Sequence, residues 1–283
     1  MAYAGAERWG DTMMEHEQVG RDEGACPPAG AGVPSDADPR IAAFGDGDAA
    51  AAVVSMSSRH PDGLDADYLR WHLLDHLPEQ YRLGGLRSGQ RWVSTPACRA
   101  ARAASVAPFD EVDHVVQYLF AEPVDAALDR FFPLGAALAG NCRMPMALPR
   151  VQVGGWELDG RLAADRVLVG AAVLPWRPAS GVYLLVERCD GSGSPGPAPL
   201  EALVRVPGVA GAWSFSGAEP RHRRLASTAG LGMTVCYLDR PPVEVAEELA
   251  PVLVERWSDG SRTPRLAAPF ELVVPGRWDR HLP

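Results

Sequence analysis

At 283 residues, 47% of them apolar, the chain has room for one large or two small domains with a full core, which excludes global disorder. A net charge of −9 without a basic stripe argues against nucleic-acid binding, and no run of about 18 apolar residues is present to span a membrane. All 27 basic residues are arginine, so enzymes that need a Schiff-base lysine or a P-loop lysine are excluded too.

Residues 1–48 carry ten Asp/Glu against Arg8, Arg21 and Arg40, leaving the rest of the chain close to neutral. They are rich in Ala, Gly, Pro and Asp without a helical or strand period, so a disordered acidic leader is expected, with at most a transient helical turn at "TMMEHEQV". The stretch has neither the basic start nor the apolar segment of a signal peptide, and the chain reads as cytoplasmic. Five cysteines (26, 98, 142, 189, 236) lie far apart with no C-x-x-C, which favours buried free thiols over disulfides or a cysteine zinc site.

A first folded unit is expected over 49–160. "AAVVSMSSR" (51–59) reads as a strand ended by the turn cluster His60-Pro61-Asp62-Gly63. Asp65 is placed to cap a following helix, "YLRWHLLDHLPEQY" (68–81), which Pro78 and "LGGL" close. Strands follow at 86–97 and 110–121, then a helix over 124–138 started by Pro123, then a strand at 149–158. After a linker at 161–180 the same order recurs over 181–283: strand 181–189, a stunted helix 199–206, strands 211–217 and 230–239, helix 242–257 and strand 269–275. "YLFAEPVDAA" (118–127) aligns without gaps over "YLDRPPVEVA" (237–246) at a spacing of 119. The expected fold is α+β: two tandem ferredoxin-like βαββαβ units packed sheet to sheet as an internal pseudo-dimeric barrel, present as a monomer or a homodimer.

No phosphate loop stands up, because "GLRSGQ" and "GLGMT" lack the helix that would follow one, and "GSGSPGP" (191–197) has linker composition. No G-x-S-x-G elbow is present. Chemistry is most visible in the helix at 68–81. His72 and His76, four residues apart, share a face with Leu69, Leu73 and Leu77, the face that should meet the sheet. Three roles are open for the pair: histidines packed in the core, a neutral general base lowered by apolar walls, or half of a metal site completed by His60, His114 or Asp113. "HLLDH" lacks the Glu of the zincin motif, so no metal is expected.

Alternation along the third strand puts His114 with Tyr118 on one face and Asp113 with Gln117 on the other, and one of these pairs should enter the cavity. Arg59, Gln90, Arg91 and Trp92 are further candidates for orienting a substrate. His60 reads as a turn residue, and His222 and His281 as solvated loop positions.

Trp71, His76 and Pro78 in "W-H-L-L-D-H-L-P", with "FDEVDHVVQYLF" (109–120), resemble the EthD-like members of the dimeric α/β-barrel superfamily. The resemblance covers 50–158, and extends to 180–283 by topology alone. It implies one equipped cavity and one degenerate one, since "PLEALVRVPG" carries no His. Such barrels resemble each other in fold but differ in chemistry: the superfamily includes polyketide cyclases, lactone isomerases, cofactor-free monooxygenases and haem-binding enzymes. The expected partner is a hydrophobic, cyclic or polyketide-like small molecule. The implied reaction is histidine-mediated proton transfer of isomerase, cyclase or dehydratase type, without a cofactor. His76 would act with His72 and His114, and Tyr118, Arg59, Trp92 and Asp113 would bind substrate. A non-catalytic binding protein or a haem protein are the alternatives.

Overall fold

The computed structural model describes residues 48–189 and 199–278. The expected acidic leader (apart from Asp48), the glycine-rich stretch 191–197 and His281 lie outside them. The first half runs β1 (Ala49–Ser57), α1 (Asp65–Trp71), a π-helical turn (His72–His76), α2 (Leu77–Gln80), β2 (Leu86–Val93), α3 (Pro96–Ala100), β3 (Ala104–Ser105), β4 (His114–Ala121), α4 (Val124–Gly140) and β5 (Arg150–Ala163). The second runs β6 (Gly181–Cys189), α5 (Glu201–Val204), β7 (Val209–Gly217), β8 (Leu231–Leu238), α6 (Pro242–Trp257) and β9 (Arg262–Leu272).

Strands of the first half pair in the order β2-β4-β1-β5 and those of the second in the order β7-β8-β6-β9, all antiparallel. Each is the order of a ferredoxin-like βαββαβ sheet. β5 serves both sheets: its first part pairs with β1, and its end pairs with β7 from Trp156↔Gly217 to Ala163↔Gly211. At the opposite edge β9 meets β2 through Trp92↔Leu272 and Val93↔Glu271. The two tandem units thus join at both edges as an internal pseudo-dimeric α/β barrel, which leaves no long free strand edge.

Alternation sends successive side chains to opposite faces of this wall. Met56, Trp92, Trp156, Trp213, Phe215 and Phe270 point inward and fill the lumen. On the outside of the first sheet Val53, Val116, Tyr118 and Phe120 meet the helices, with Phe131 of α4 packed against them. On the outside of the second, Tyr183, Leu185 and Cys236 are covered by Val245, Leu249 and Leu253 of α6. The second sheet's counterpart of the long first helix is α5, a single turn without a histidine.

Several sequence expectations are corrected. Asp65 does not cap the helix: it lies in the first turn, and its carboxylate is buried and turned toward His114. Pro78 does not end the helix. It has no N–H to give the carbonyl of Leu74 and its ring crowds that oxygen; the wide turn before it, in which the Leu77 amide reaches back to His72, carries the helix past. The strand expected to 97 stops at Val93, where Thr95 caps α3 through the Cys98 amide. β4 begins at His114 rather than 110, after a short turn of 3₁₀ helix at Phe109–Glu111. β5 runs on to Ala163, so the expected linker begins inside a strand. β9 starts at Arg262, earlier than expected, and stops at Leu272.

The gapless match of the two halves is also out of register. At a spacing of 119, Tyr118 aligns with Tyr237, yet Tyr118 faces the helices and Tyr237 faces the lumen. Matching the buried positions Ala127, Leu128 and Phe131 of α4 to Val245, Ala246 and Leu249 of α6 requires a spacing one residue shorter. The topology repeats; the identities in that alignment do not coincide in space.

Gly217 illustrates how tightly the long seam is built. A Cβ there would sit 1.9 Å from the Thr228 carbonyl oxygen, a backbone atom that cannot swing aside. Gly217→Ala is expected to lower stability by about 3 kcal/mol, read from urea unfolding, because the overpacking must be relieved by moving strands. A loss below about 0.5 kcal/mol would show that the loop carrying Thr228 yields freely.

Candidate functional site

Between the outer face of the first sheet and its helices lies a cavity of about 180 Å³. Its walls include five aromatic residues (Tyr68, Trp71, Tyr118, Phe131 and Phe132), and Met144 and Met146 of the segment after α4 also line it. The helix supplies Tyr68, His72, His76 and Gln80, spaced by four residues, all lining the cavity. In a regular α-helix that spacing drifts by about 40° per step, about 120° across the row. The wide turn His72–His76 takes up part of the drift and keeps the four side chains on one side. Single π turns inside α-helices recur at functional sites for this kind of reason.

Arg91 of β2 joins this row from the sheet. Its Nε–H donates to His72 Nδ1 at 3.2 Å and an Nη2–H donates to Tyr68 Oη at 3.1 Å, with the guanidinium carbon 4.8 Å from the Tyr68 ring centre. An arginine can only donate, so His72 Nδ1 is an acceptor and its proton sits on Nε2. That proton is given to Tyr118 Oη at 2.9 Å. Both nitrogens of His72 are therefore engaged. Burial, and then the charges of Arg91, His76 and His114, hold its imidazole well below the ordinary range. Tyr118 is pushed upward by burial and stays a phenol.

His76 differs. It stacks on Trp71 at 5.1 Å between ring centres, and its Nε2 lies 3.1 Å from the Gln80 amide. Its Nδ1 has no hydrogen-bond partner. Burial first, and Arg91 second, bring this imidazole down to about 4, so it is neutral at pH 7. Trp71 is held in turn by a bond from its indole N–H to the Arg143 carbonyl at 3.2 Å.

Behind this row lies a second buried pair. His114 Nε2 donates to Asp65 Oδ1 at 2.8 Å, and the His60 amide donates to the same oxygen at 2.9 Å. Arg59 approaches the other oxygen at 3.5 Å. Burial pushes Asp65 up, but the bonds from His114 and His60 and the charges outweigh it, and the carboxylate is held below its usual range. Burial lowers His114 against the pull of Asp65.

The structure thus brings His72, His76, Tyr118 and Arg91 together at the cavity and leaves the other expected residues outside its lining. His114 is on the same face but is sealed behind Tyr68, edge-on to that ring at 6.1 Å. Trp92 points into the lumen, since alternation puts it opposite Arg91. Asp113 precedes β4 and pairs with Arg99 and Arg102 on the far side of the strand end. Arg59 is partly exposed and sits against Asp65, outside the cavity lining. Gln117 faces inward with its amide unpartnered, and Gln90 reaches the Pro175 carbonyl. His222, expected in solvent, stacks on Phe132 at 4.0 Å. Tyr68 and Gln80 went unnoticed in the sequence; the four-residue spacing of polar and aromatic residues from 68 to 80 is the signal that points to them.

Among the described residues no group of three or more His, Cys, Asp or Glu side chains is arranged to hold a metal ion. A haem is larger than this cavity, which is below the roughly 300–1,000 Å³ of sites for larger ligands; both nitrogens of His72 are taken, and the unpartnered Nδ1 of His76 is buried. No helix among the described residues is long and apolar enough to cross a membrane.

No protein-family model matches the chain, and no curated protein matches it in sequence. Solved structures similar to it include an anthrone oxidase-like protein, at 11% identity over 81% of this chain and 93% of that one, with a TM-score of 0.38. Another is a candidate chlorite dismutase, at 8% identity over 81% of this chain and 97% of that one, with a TM-score of 0.43. Likeness at this level adds nothing to the fold that the strand order already defines.

Proposed function

We propose that this chain is a cytoplasmic small-molecule enzyme of the EthD-like type, moving a proton on a hydrophobic cyclic substrate held between the first sheet and its helices. The reaction class is isomerisation, cyclisation or dehydration. The observation that carries this reading is His76: a neutral imidazole at the wall of an aromatic cavity, with one ring nitrogen that no protein group uses.

His76 is the group that exchanges the proton, because both nitrogens of His72 are committed to Arg91 and Tyr118. His72 and Gln80 position the row. A base as weak as His76 suits a carbon acid already activated by two flanking carbonyls, as in a cyclic 1,3-dicarbonyl, and it surrenders the proton readily at the receiving atom. Trp71 and the phenylalanines supply the flat apolar walls that a ring needs.

His76→Ala in the full chain tests the proposal. With the fold verified by circular dichroism and melting temperature, turnover of a cyclic 1,3-dicarbonyl substrate found by NMR screening is expected to fall at least about 100-fold. Unchanged turnover rejects the role of His76. A second reading, binding without chemistry, is favoured by the enclosure of His76 Nδ1, which lies beneath the cavity surface. Ligands that bind tightly and return unaltered, with no exchange of hydrogen for solvent deuterium, would establish it.

A further inference from the structure

We infer that the natural ligand of the cavity carries a carboxylate, and that Arg91 is its docking point. This rests on the cavity as the ligand site, though on no chemistry by His76. Arg91 is only 3% exposed, and no carboxylate among the described residues pairs with it. Its two bonds go to neutral acceptors, His72 Nδ1 and Tyr68 Oη. Both hydrogens of Nη1 and one of Nη2 are left without a protein partner at the cavity wall. A guanidinium is not neutralised at any ordinary pH, so a buried one without a counter-charge is costly unless an anion joins it.

The surroundings agree in sign. Arg150 and Arg224 line the mouth, and no Asp or Glu among the described residues lines the cavity. This is a cationic cavity in a chain whose net charge is −9. It is also set in advance: His72, fixed by Tyr118, holds the Nε side of the guanidinium, and Tyr68 holds Nη2. What remains free is a planar set of donors, which matches the two oxygens of a carboxylate better than it matches a single carbonyl. The carboxylate docks there, and the ring it carries lies against Trp71, Tyr118 and Phe131.

Benzoate and its neutral isostere benzamide are suitable probes for a cavity of this size. Titrated into the full chain and followed by NMR, benzoate is expected to bind at least about tenfold more tightly than benzamide. In Arg91→Met the preference is expected to vanish while benzamide affinity stays within about threefold of wild type. Arg91→Gln, which keeps donors toward His72 and Tyr68, reads the same quantity if the methionine variant does not fold. Equal affinity for both probes in the wild type, or a preference that survives in either variant, overturns the inference and leaves the proposed function standing. Failure of both probes to bind overturns it together with the cavity as a ligand site.

Discussion

Asp65→Ala is expected to cost about 4 kcal/mol of folding stability, because it strips the acceptor from the buried His114 Nε2–H and from the part-buried His60 amide. The side chain is a short polar residue in the first turn of α1, where a solvated acid would contribute only a few tenths of a kcal/mol through the helix dipole. Here it has no access to water. One oxygen accepts from His114 and from the His60 amide, and the other faces Arg59. Removing it leaves both N–H groups without an acceptor, and an apolar Cβ cannot replace either bond. Asp65→Asn keeps the shape and one acceptor oxygen, so a smaller loss of about 2 kcal/mol is expected. If the double variant Asp65→Ala, His114→Phe is more stable than Asp65→Ala alone, the orphaned imidazole is the source of the penalty. Urea unfolding of the three proteins decides it; a cost below about 1 kcal/mol for Asp65→Ala would mean that water enters and solvates the site.

The tandem βαββαβ order was legible because each element leaves a local mark: β-branched apolar runs for strands, Pro and Gly at turns, a four-residue apolar period in α4 and α6. The spacing between the halves was less secure than it looked. Tyr118 and Tyr237 match as letters, yet a shift of one residue in a strand reverses its faces, and nothing in a gapless alignment senses which face is inside. Strand ends failed for a related reason. Where β5 runs on to Ala163, it is the pairing with β7, some 50 residues later, that holds the backbone extended.

In the site, the histidine pair was readable because two titratable rings on an apolar face are uncommon. What they do there was not, since it depends on partners from another strand. Arg91 commits His72, and only the sheet brings it there. Trp92 looked as promising as Arg91, its neighbour in the chain, but alternation sends one to the lumen and the other to the cavity. Asp65 was misjudged as a cap because the residue type fits both roles, and only the depth of His114 beneath the helix separates them.

Stability is expected to fall by at least about 2 kcal/mol between pH 7.5 and pH 5.0, through the histidines of the cavity wall. In the unfolded chain His76 titrates near its ordinary value of 6.5; in the fold, burial and Arg91 bring it down to about 4. Between those values the unfolded state holds a proton that the native state refuses, so unfolding gains free energy as the pH falls. At pH 5.0 that difference amounts to about 2 kcal/mol for His76 alone. His72, lowered by burial and the charge of Arg91, acts in the same sense, as does His114 despite the opposing bond from Asp65. Asp159, raised by burial, works the other way, taking up its proton first in the native state as the pH falls toward its ordinary value of 3.8. The carboxylates that are held low, Asp65 and Glu187, begin to count only as the pH drops below about 4.5. The loss therefore belongs to the imidazoles. His76→Phe, which keeps a ring against Trp71 and removes the titration, should flatten the dependence by about the share assigned to His76. A urea midpoint that stays constant from pH 7.5 to 5.0 in the wild type would mean that His76 takes up its proton in the native state near the ordinary value of 6.5, and that neither burial nor Arg91 depresses it.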